Sequence, residues 1–180
     1  MGAIEPSAAG IKLFDLVFAL KDLSADDFCE EHPNPCLLQI PVEGAFPELE
    51  GETKKPTANL GNAASTLHMS LKDLGSLKRS KQVDQALVHL LPETSGALTL
   101  GRGDDCDLIM LATGVSRKHA ELHKQLGNWL LVDLDSHNGT FVNGKRLAPN
   151  TPTKVDDRQN IWLGSYRAIF LFPEQIYNLA

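Results

Sequence analysis

Three short segments in the C-terminal half of the sequence carry groups that donate hydrogen bonds. They are Gly101-Arg102-Gly103, residues 114–119 and residues 135–144. Beside glycines that expose backbone N–H groups, they offer the guanidinium groups of Arg102 and Arg117, the Lys118 ammonium, the Ser116 hydroxyl and the Asn138 amide. This set suits a dianionic phosphate, which has three acceptor oxygens and a charge of about −1.5 to −2 at neutral pH. The pattern therefore predicts a phosphate-binding site made of three loops.

Other patterns that suggest chemistry lack a required residue. Residues 119–123 resemble the zinc-protease motif H-E-x-x-H, but Ala120 replaces the catalytic glutamate. Cys29, His32 and Cys36 have no fourth zinc ligand near them in the sequence. No nucleophile is placed beside a base. The sequence therefore predicts no metal site, no cofactor and no enzyme activity.

Composition and charge narrow the class of protein. The formal net charge is −6, which argues against a nucleic-acid partner. Three cysteines in 180 residues fit a reducing compartment better than a disulfide framework. The apolar run at residues 11–20 is interrupted by Lys12 and Asp15 and is too short to span a bilayer. We expect a cytoplasmic protein that binds neither nucleic acid nor membrane.

The distribution of apolar residues divides the chain into four parts. From residue 81 to 175, short apolar and β-branched runs alternate with turn residues, which predicts a β-sandwich. Residues 1–42 predict a helical or extended segment with one strand near its end. Residues 43–80 contain Gly, Pro, Glu and Lys with little periodicity and predict a linker, and residues 176–180 form a tail. A chain that starts near Lys81 is therefore expected to fold alone.

The three loop segments resemble the signature of the forkhead-associated (FHA) domain. Gly101-Arg102, residues 116–120 and residues 135–144 occur in the order that this family shows. The resemblance covers roughly residues 81–175. It implies an all-β, eleven-stranded β-sandwich, here with a short, partly helical N-terminal extension. It also implies that loops at one end of the sandwich bind phosphothreonine in a partner protein.

The resemblance assigns roles to individual residues of this sequence. The residues implied to bind phosphothreonine are Arg102, Ser116, Arg117, His137 and Asn138. The residues implied to brace the loops are Gly101, His119, Gly139, Thr140 and Asn143. Gly114 occupies the position where some members carry a basic residue that selects an acidic side chain at +3. The resemblance therefore does not extend that selection to this chain.

Two functional hypotheses follow from the resemblance. The first is a non-catalytic adaptor that acts downstream of a Ser/Thr kinase and binds a phosphothreonine-containing protein, either a kinase or a kinase substrate. The second is autoregulation, in which a phosphorylated Thr53, Thr57 or Thr66 binds its own FHA domain or that of a neighbouring copy, giving self-association. An enzyme within the first 80 residues is a weaker third hypothesis, because that segment shows no catalytic set.

Overall fold

The computed structural model describes residues 7–39, 86–94 and 96–179. The predicted linker at residues 43–80, with Thr53, Thr57 and Thr66, lies outside the described residues. No helix in the described part of the chain is both long and apolar enough to cross a membrane.

Within these ranges, twelve strands form two sheets. The strands are β1 (Ile11–Lys12), β2 (Cys36–Gln39), β3 (Leu87–Leu90), β4 (Leu98–Gly101), β5 (Leu108–Ile109), β6 (Ala120–Gln125), β7 (Asn128–Asp133), β8 (Thr140–Val142), β9 (Lys145–Arg146), β10 (Thr153–Val155), β11 (Gln159–Leu163) and β12 (Tyr166–Leu171). The seven-stranded sheet has the order β1-β3-β2-β12-β11-β8-β9, and the five-stranded sheet has the order β10-β7-β6-β4-β5. The predicted all-β sandwich is confirmed.

The inner faces of the two sheets form the main core. Leu100 and Leu122 of the five-stranded sheet pack in one buried cluster with Ile161 and Phe170 of the seven-stranded sheet. Because side chains alternate between the two faces of a strand, β6 buries Ala120 and Leu122 and turns Glu121 outward. The resulting sandwich is a rigid platform for the loops that join its strands.

Three short helices cover the outer face of the seven-stranded sheet. They are α1 (Leu13–Ala19), α2 (Ala25–Glu31) and α3 (Pro173–Leu179). The hydroxyl oxygen of Ser24 accepts a hydrogen bond from the Asp27 N–H at 3.2 Å, which caps the start of α2. Phe28 on α2 and Ile176 on α3 form a second buried cluster with Leu38 and Ile169 of the sheet. We call these three helices with strands β1 and β2 the N-terminal layer.

The structure corrects the predicted domain boundary at residue 81. Strand β2, from the segment at residues 1–42, lies between β3 and β12, where Leu38 pairs with Val88 on one side and with Ile169 on the other. In the described part of the chain the sandwich therefore has twelve strands, and two of them come from the N-terminal segment. The predicted tail is also corrected, because α3 continues to Leu179 and the Tyr177 hydroxyl donates to the Leu23 carbonyl at 2.9 Å.

Candidate functional site

The first two loops are joined through their backbones at the end of β4. The Arg102 N–H donates to the Ser116 carbonyl and the Gly103 N–H donates to the Arg117 carbonyl, each at 3.0 Å. A Cβ atom at Gly101 would lie 2.0 Å from the Arg117 carbonyl oxygen. Because no side chain fits at that distance, glycine at position 101 lets the two loops pack backbone to backbone.

The buried His119 side chain joins the second loop to the third. Its Nδ1 accepts a hydrogen bond from the Ser116 N–H at 2.9 Å, and its Nε2 lies 3.2 Å from the Gly139 carbonyl oxygen. A neutral imidazole can accept at one nitrogen and donate at the other, which matches these two partners. Burial lowers the pKa of His119, and the hydrogen bond to Gly139 partly opposes this shift. The neutral form of His119 therefore holds the two loops together.

The buried carboxylate of Asp133 holds the third loop in place through hydrogen bonds. One oxygen of Asp133 accepts hydrogen bonds from the Ser136 hydroxyl at 2.6 Å and from the Thr140 hydroxyl at 2.5 Å. The other oxygen accepts from the Ser136 N–H at 3.1 Å. Sequence patterns did not point to Asp133 or Ser136, although the short spacing between Asp133, Ser136 and Thr140 is a signal for such a local network. Thr140 is placed at the base of the loop, fully buried.

Asn143 fastens the hairpin between β8 and β9 to strand β11. Its N–H donates to the Asn160 carbonyl at 2.8 Å, and its side-chain oxygen accepts from the Asn160 N–H at 2.9 Å. Asn143 and Gly144 both have positive φ angles, 49° and 79°, as an Asn-Gly hairpin turn requires. The stretch at residues 135–144 therefore reverses the chain and is anchored at both ends.

The residues predicted to bind phosphate come together on these fixed loops. The Ser116 hydroxyl oxygen accepts from the His137 N–H at 3.2 Å, and the Asn138 amide donates to the Gly114 carbonyl at 2.8 Å. His137 and Asn138 are exposed, and Ser116 is half-buried. Arg102 and Arg117 are exposed and line one open hollow.

Charges of both signs line this hollow, which we call the charged hollow. Its lining residues are Arg102, Gly103, Asp104, Asp105, Arg117 and Lys118. The Lys118 ammonium lies 3.4 Å from an Asp105 carboxylate oxygen, and both side chains are more than half exposed. With three cations and two carboxylates, the hollow keeps a formal positive charge of one. Such a hollow attracts an anion that is large enough to contact several donors at once.

Comparison with known proteins identifies the family. The FHA domain model matches residues 98–164, the part of the chain that contains all three loops. Residues 98–164 of this chain are an FHA domain. The sandwich extends on both sides of the matched residues, since β2, β3 and β12 share one sheet with β8 and β11.

Two curated relatives are bacterial regulators. The oxoglutarate dehydrogenase inhibitor of Corynebacterium diphtheriae is 33% identical over 73 residues, which are 41% of this chain and 49% of that protein. The glycogen accumulation regulator GarA of Mycolicibacterium smegmatis is 34% identical over 95 residues, which are 53% of this chain and 56% of that protein. The chain thus spans about half the length of these relatives.

One solved structure, which concerns phosphothreonine-dependent FHA domain interactions, is 34% identical in sequence to this chain. The match covers 47% of this chain and 83% of that chain, with a TM-score of 0.42.

Proposed function

We propose that the loop end of this sandwich binds phosphothreonine in a partner protein, and that the chain is a non-catalytic signalling adaptor downstream of a Ser/Thr kinase. One observation carries the proposal: the charged hollow, with Arg102, Arg117 and Lys118, adjoins the loops of Ser116 and Asn138. These donors stand on backbone that is already hydrogen-bonded. Little ordering entropy is then lost when the ligand binds.

Each predicted residue has a distinct role in this proposal. The planar guanidinium of Arg102 contacts two phosphate oxygens together, and Arg117 adds a second guanidinium from the neighbouring loop. The Ser116 hydroxyl donates to the phosphate while its oxygen accepts from the His137 N–H. The His137 side chain lies on the exposed third loop and contacts the phosphate from that side.

Asn138 recognises the peptide backbone rather than the phosphate. One N–H of its amide donates to the Gly114 carbonyl, which fixes the orientation of the side chain. The amide has a second N–H and a carbonyl oxygen, and this pair of groups matches the donor and acceptor of a peptide unit. Asn138 therefore positions the partner's main chain beside the charged hollow.

The proposed partner is a protein phosphorylated on threonine, either a kinase or a kinase substrate. The proposed location is the cytoplasm, where Cys29, Cys36 and Cys106 remain the free thiols that the structure shows. The autoregulatory alternative depends on Thr53, Thr57 and Thr66, which lie outside the described residues. The matches to FHA regulators favour a separate partner over that alternative.

Calorimetric titration of the full chain with an oriented phosphothreonine peptide library tests this function. Matched peptides carrying phosphoserine and unmodified threonine serve as controls. We expect binding to phosphothreonine and none to threonine, with phosphoserine several-fold weaker because burial of one methyl group contributes about 0.8 kcal/mol. Equal affinity for phosphorylated and unmodified peptides would contradict the proposal.

A further inference from the structure

Four side chains form a row across the outer face of the seven-stranded sheet, one from each of β9, β8, β11 and β12. Arg146 lies opposite Phe141, Phe141 lies opposite Trp162, and Trp162 lies opposite Arg167. Directly opposed residues of antiparallel strands share one face of a sheet. Ile161, the neighbour of Trp162 on β11, belongs to the main core, so these four side chains face away from it. We call them the outer row.

The side chains of the outer row contact one another. The ring centroids of Phe141 and Trp162 are 6.0 Å apart, and both residues are half-buried. The guanidinium carbon of Arg167 lies 4.5 Å from the Trp162 ring centroid. Arg167 also donates to the Gly164 carbonyl at 2.6 Å and to the Tyr166 carbonyl at 3.1 Å, which fixes its position. Because aromatic residues and arginine are enriched at protein interfaces, the row has the composition of a contact surface.

The far end of the row carries exposed positive charge. Arg146 is exposed, and a Cβ atom at Gly139 would lie 2.6 Å from its Nε, so its side chain lies over the backbone of the third loop. No carboxylate of the described residues lies within ion-pair distance of Arg146. The preceding Lys145 is exposed as well. An acidic segment that reached this end would neutralise these charges.

The N-terminal layer packs beside the outer row. Its buried cluster contains residues of β2, β3 and β12, such as Ile169, and none of β8, β9 or β11. The described part of β2 ends at Gln39, which pairs with Ala168, the neighbour of Arg167. The segment that follows Gln39 in the sequence therefore starts beside the near end of the row.

That segment has the complementary chemistry. Residues 43–52 contain four glutamates, neither lysine nor arginine, and the large apolar residues Phe46 and Leu49. Four strand spacings separate β2 from β9, roughly 19 Å, whereas the nine residues from Gln39 to Glu48 span up to about 30 Å. A tethered segment has a local concentration on the order of millimolar. Weak contacts are therefore enough to hold it on the row of its own molecule.

We propose that residues 43–50 dock on the outer row of the same molecule, with Phe46 against Trp162 and Glu48 beside Arg146. The aromatic contact removes apolar surface from water, and the carboxylate offers two acceptor oxygens to the planar guanidinium. The contact requires no phosphorylation. It gives the outer face of the sandwich a binding surface that is separate from the charged hollow.

Quenching of tryptophan fluorescence by acrylamide in the full chain tests this docking. Trp129 is only 4% exposed, so quenching reports mainly on Trp162. Glu48→Lys and Arg146→Glu should each raise the quenching constant about twofold, the scale expected when one weak ion pair holds the segment. Combining Glu48→Lys with Arg146→Glu restores opposite charges and should return quenching towards the wild-type value. A structural role of Arg146 alone would not produce this rescue.

The control is Asp73→Lys, which reverses an acidic charge outside residues 43–52 and should leave quenching unchanged. In about 1 M salt, where the Debye length is roughly 3 Å, quenching of the wild type should move towards that of Glu48→Lys. Protection of Trp162 that does not depend on protein concentration supports the proposal.

Protection that is lost on dilution would assign the segment to a second copy and overturn the proposal. Equal quenching of the wild type, Glu48→Lys and Phe46→Ala, with unchanged melting temperatures, would overturn it as well. No phosphopeptide is present in these measurements, so their outcome is independent of the proposed function.

Discussion

The N-terminal layer and the loop end of the sandwich differ in burial. In the N-terminal layer, Phe28 and Ile176 are at most 1% exposed and pack against the outer face of the seven-stranded sheet. At the loop end, Arg102 and Arg117 are exposed and line an open hollow. Removing a buried side chain leaves a cavity and reduces the free energy of unfolding. Removing an exposed charge changes that quantity little but deletes a contact to a ligand. The N-terminal layer packs on the seven-stranded sheet, and the loops of Arg102 and Arg117 flank β4 and β6 of the five-stranded sheet. Substitutions in the two regions should therefore have separable effects.

Removal of the part of the N-terminal layer that precedes residue 81 gives the largest expected effect. A chain that begins at Lys81 lacks β1, α1, α2 and β2, so β3 and β12 lose the strand that lies between them. Their hydrogen-bonding groups and the apolar surface under the helices would then face water. We expect an unfolded or insoluble product, measured by circular dichroism and thermal melting. A cooperative melt at the midpoint of the full chain would contradict this expectation.

Within the layer, two phenylalanines give a matched pair of substitutions. Phe28 is fully buried and its ring centroid lies 6.1 Å from that of Tyr177, whereas Phe18 on α1 is 65% exposed. Phe28→Ala should reduce the free energy of unfolding by about 3–5 kcal/mol, and Phe18→Ala by roughly 0.5 kcal/mol or less. Denaturant titration measures both. Similar losses for the two variants would show that α2 does not pack as described.

Lowering the pH should reduce the free energy of unfolding because of His89, which lies on β3. Burial lowers the pKa of His89 from 6.5 to about 4. Because the folded-state pKa lies below the unfolded value, the unfolded chain takes up this proton first as pH falls. The stability contribution is complete above pH 6.5 and is lost as pH falls to about 4. At 1.36 kcal/mol per pKa unit, the loss is roughly 3 kcal/mol.

His89→Gln is the variant that tests this pH effect. It should flatten the dependence of unfolding free energy on pH relative to the wild type. A residual slope from His119 is expected in the variant, because burial lowers its pKa in the same direction. An unchanged slope in His89→Gln would refute the assignment.

The loops were predictable from sequence because their determinants are local. Asn143 and Gly144 adopt the positive φ angles that an Asn-Gly turn requires, and Gly101 lies where two backbones touch. The position of β2 was not predictable, because Cys36–Gln39 pairs with strands about 50 and 130 residues further along the chain. The apolar run at Cys36–Gln39 predicts a strand but does not indicate which strands it pairs with. Asp133 was missed although Ser136 and Thr140 lie only three and seven residues further along the chain, because their spacing does not show which of the side chains turn inward.

A smaller effect is expected inside the charged hollow. Asp105→Asn removes the carboxylate that lies 3.4 Å from the Lys118 ammonium. The ammonium then interacts more strongly with a phosphate, and affinity for a phosphothreonine peptide should rise about two- to fivefold, the scale of an exposed ion pair. The gain should shrink at high salt. The control is Asp156→Asn, which breaks the exposed ion pair with Lys154 outside the hollow and should leave the affinity for the peptide unchanged.

Arg102→Ala, measured both for peptide binding and for thermal stability, tests the central claim most directly. Arg158→Ala is the control, since Arg158 pairs with Asp157 at the opposite end of the sandwich. Charge-assisted hydrogen bonds contribute roughly 1.5–3 kcal/mol, so Arg102→Ala should weaken phosphothreonine binding by about ten- to a hundredfold. Its melting temperature should stay near that of the wild type. Arg102→Lys should recover only part of the affinity, because an ammonium cannot contact two oxygens as a guanidinium does. If Arg102→Ala remains folded and binds the peptide like the wild type, the charged hollow is not the phosphate site.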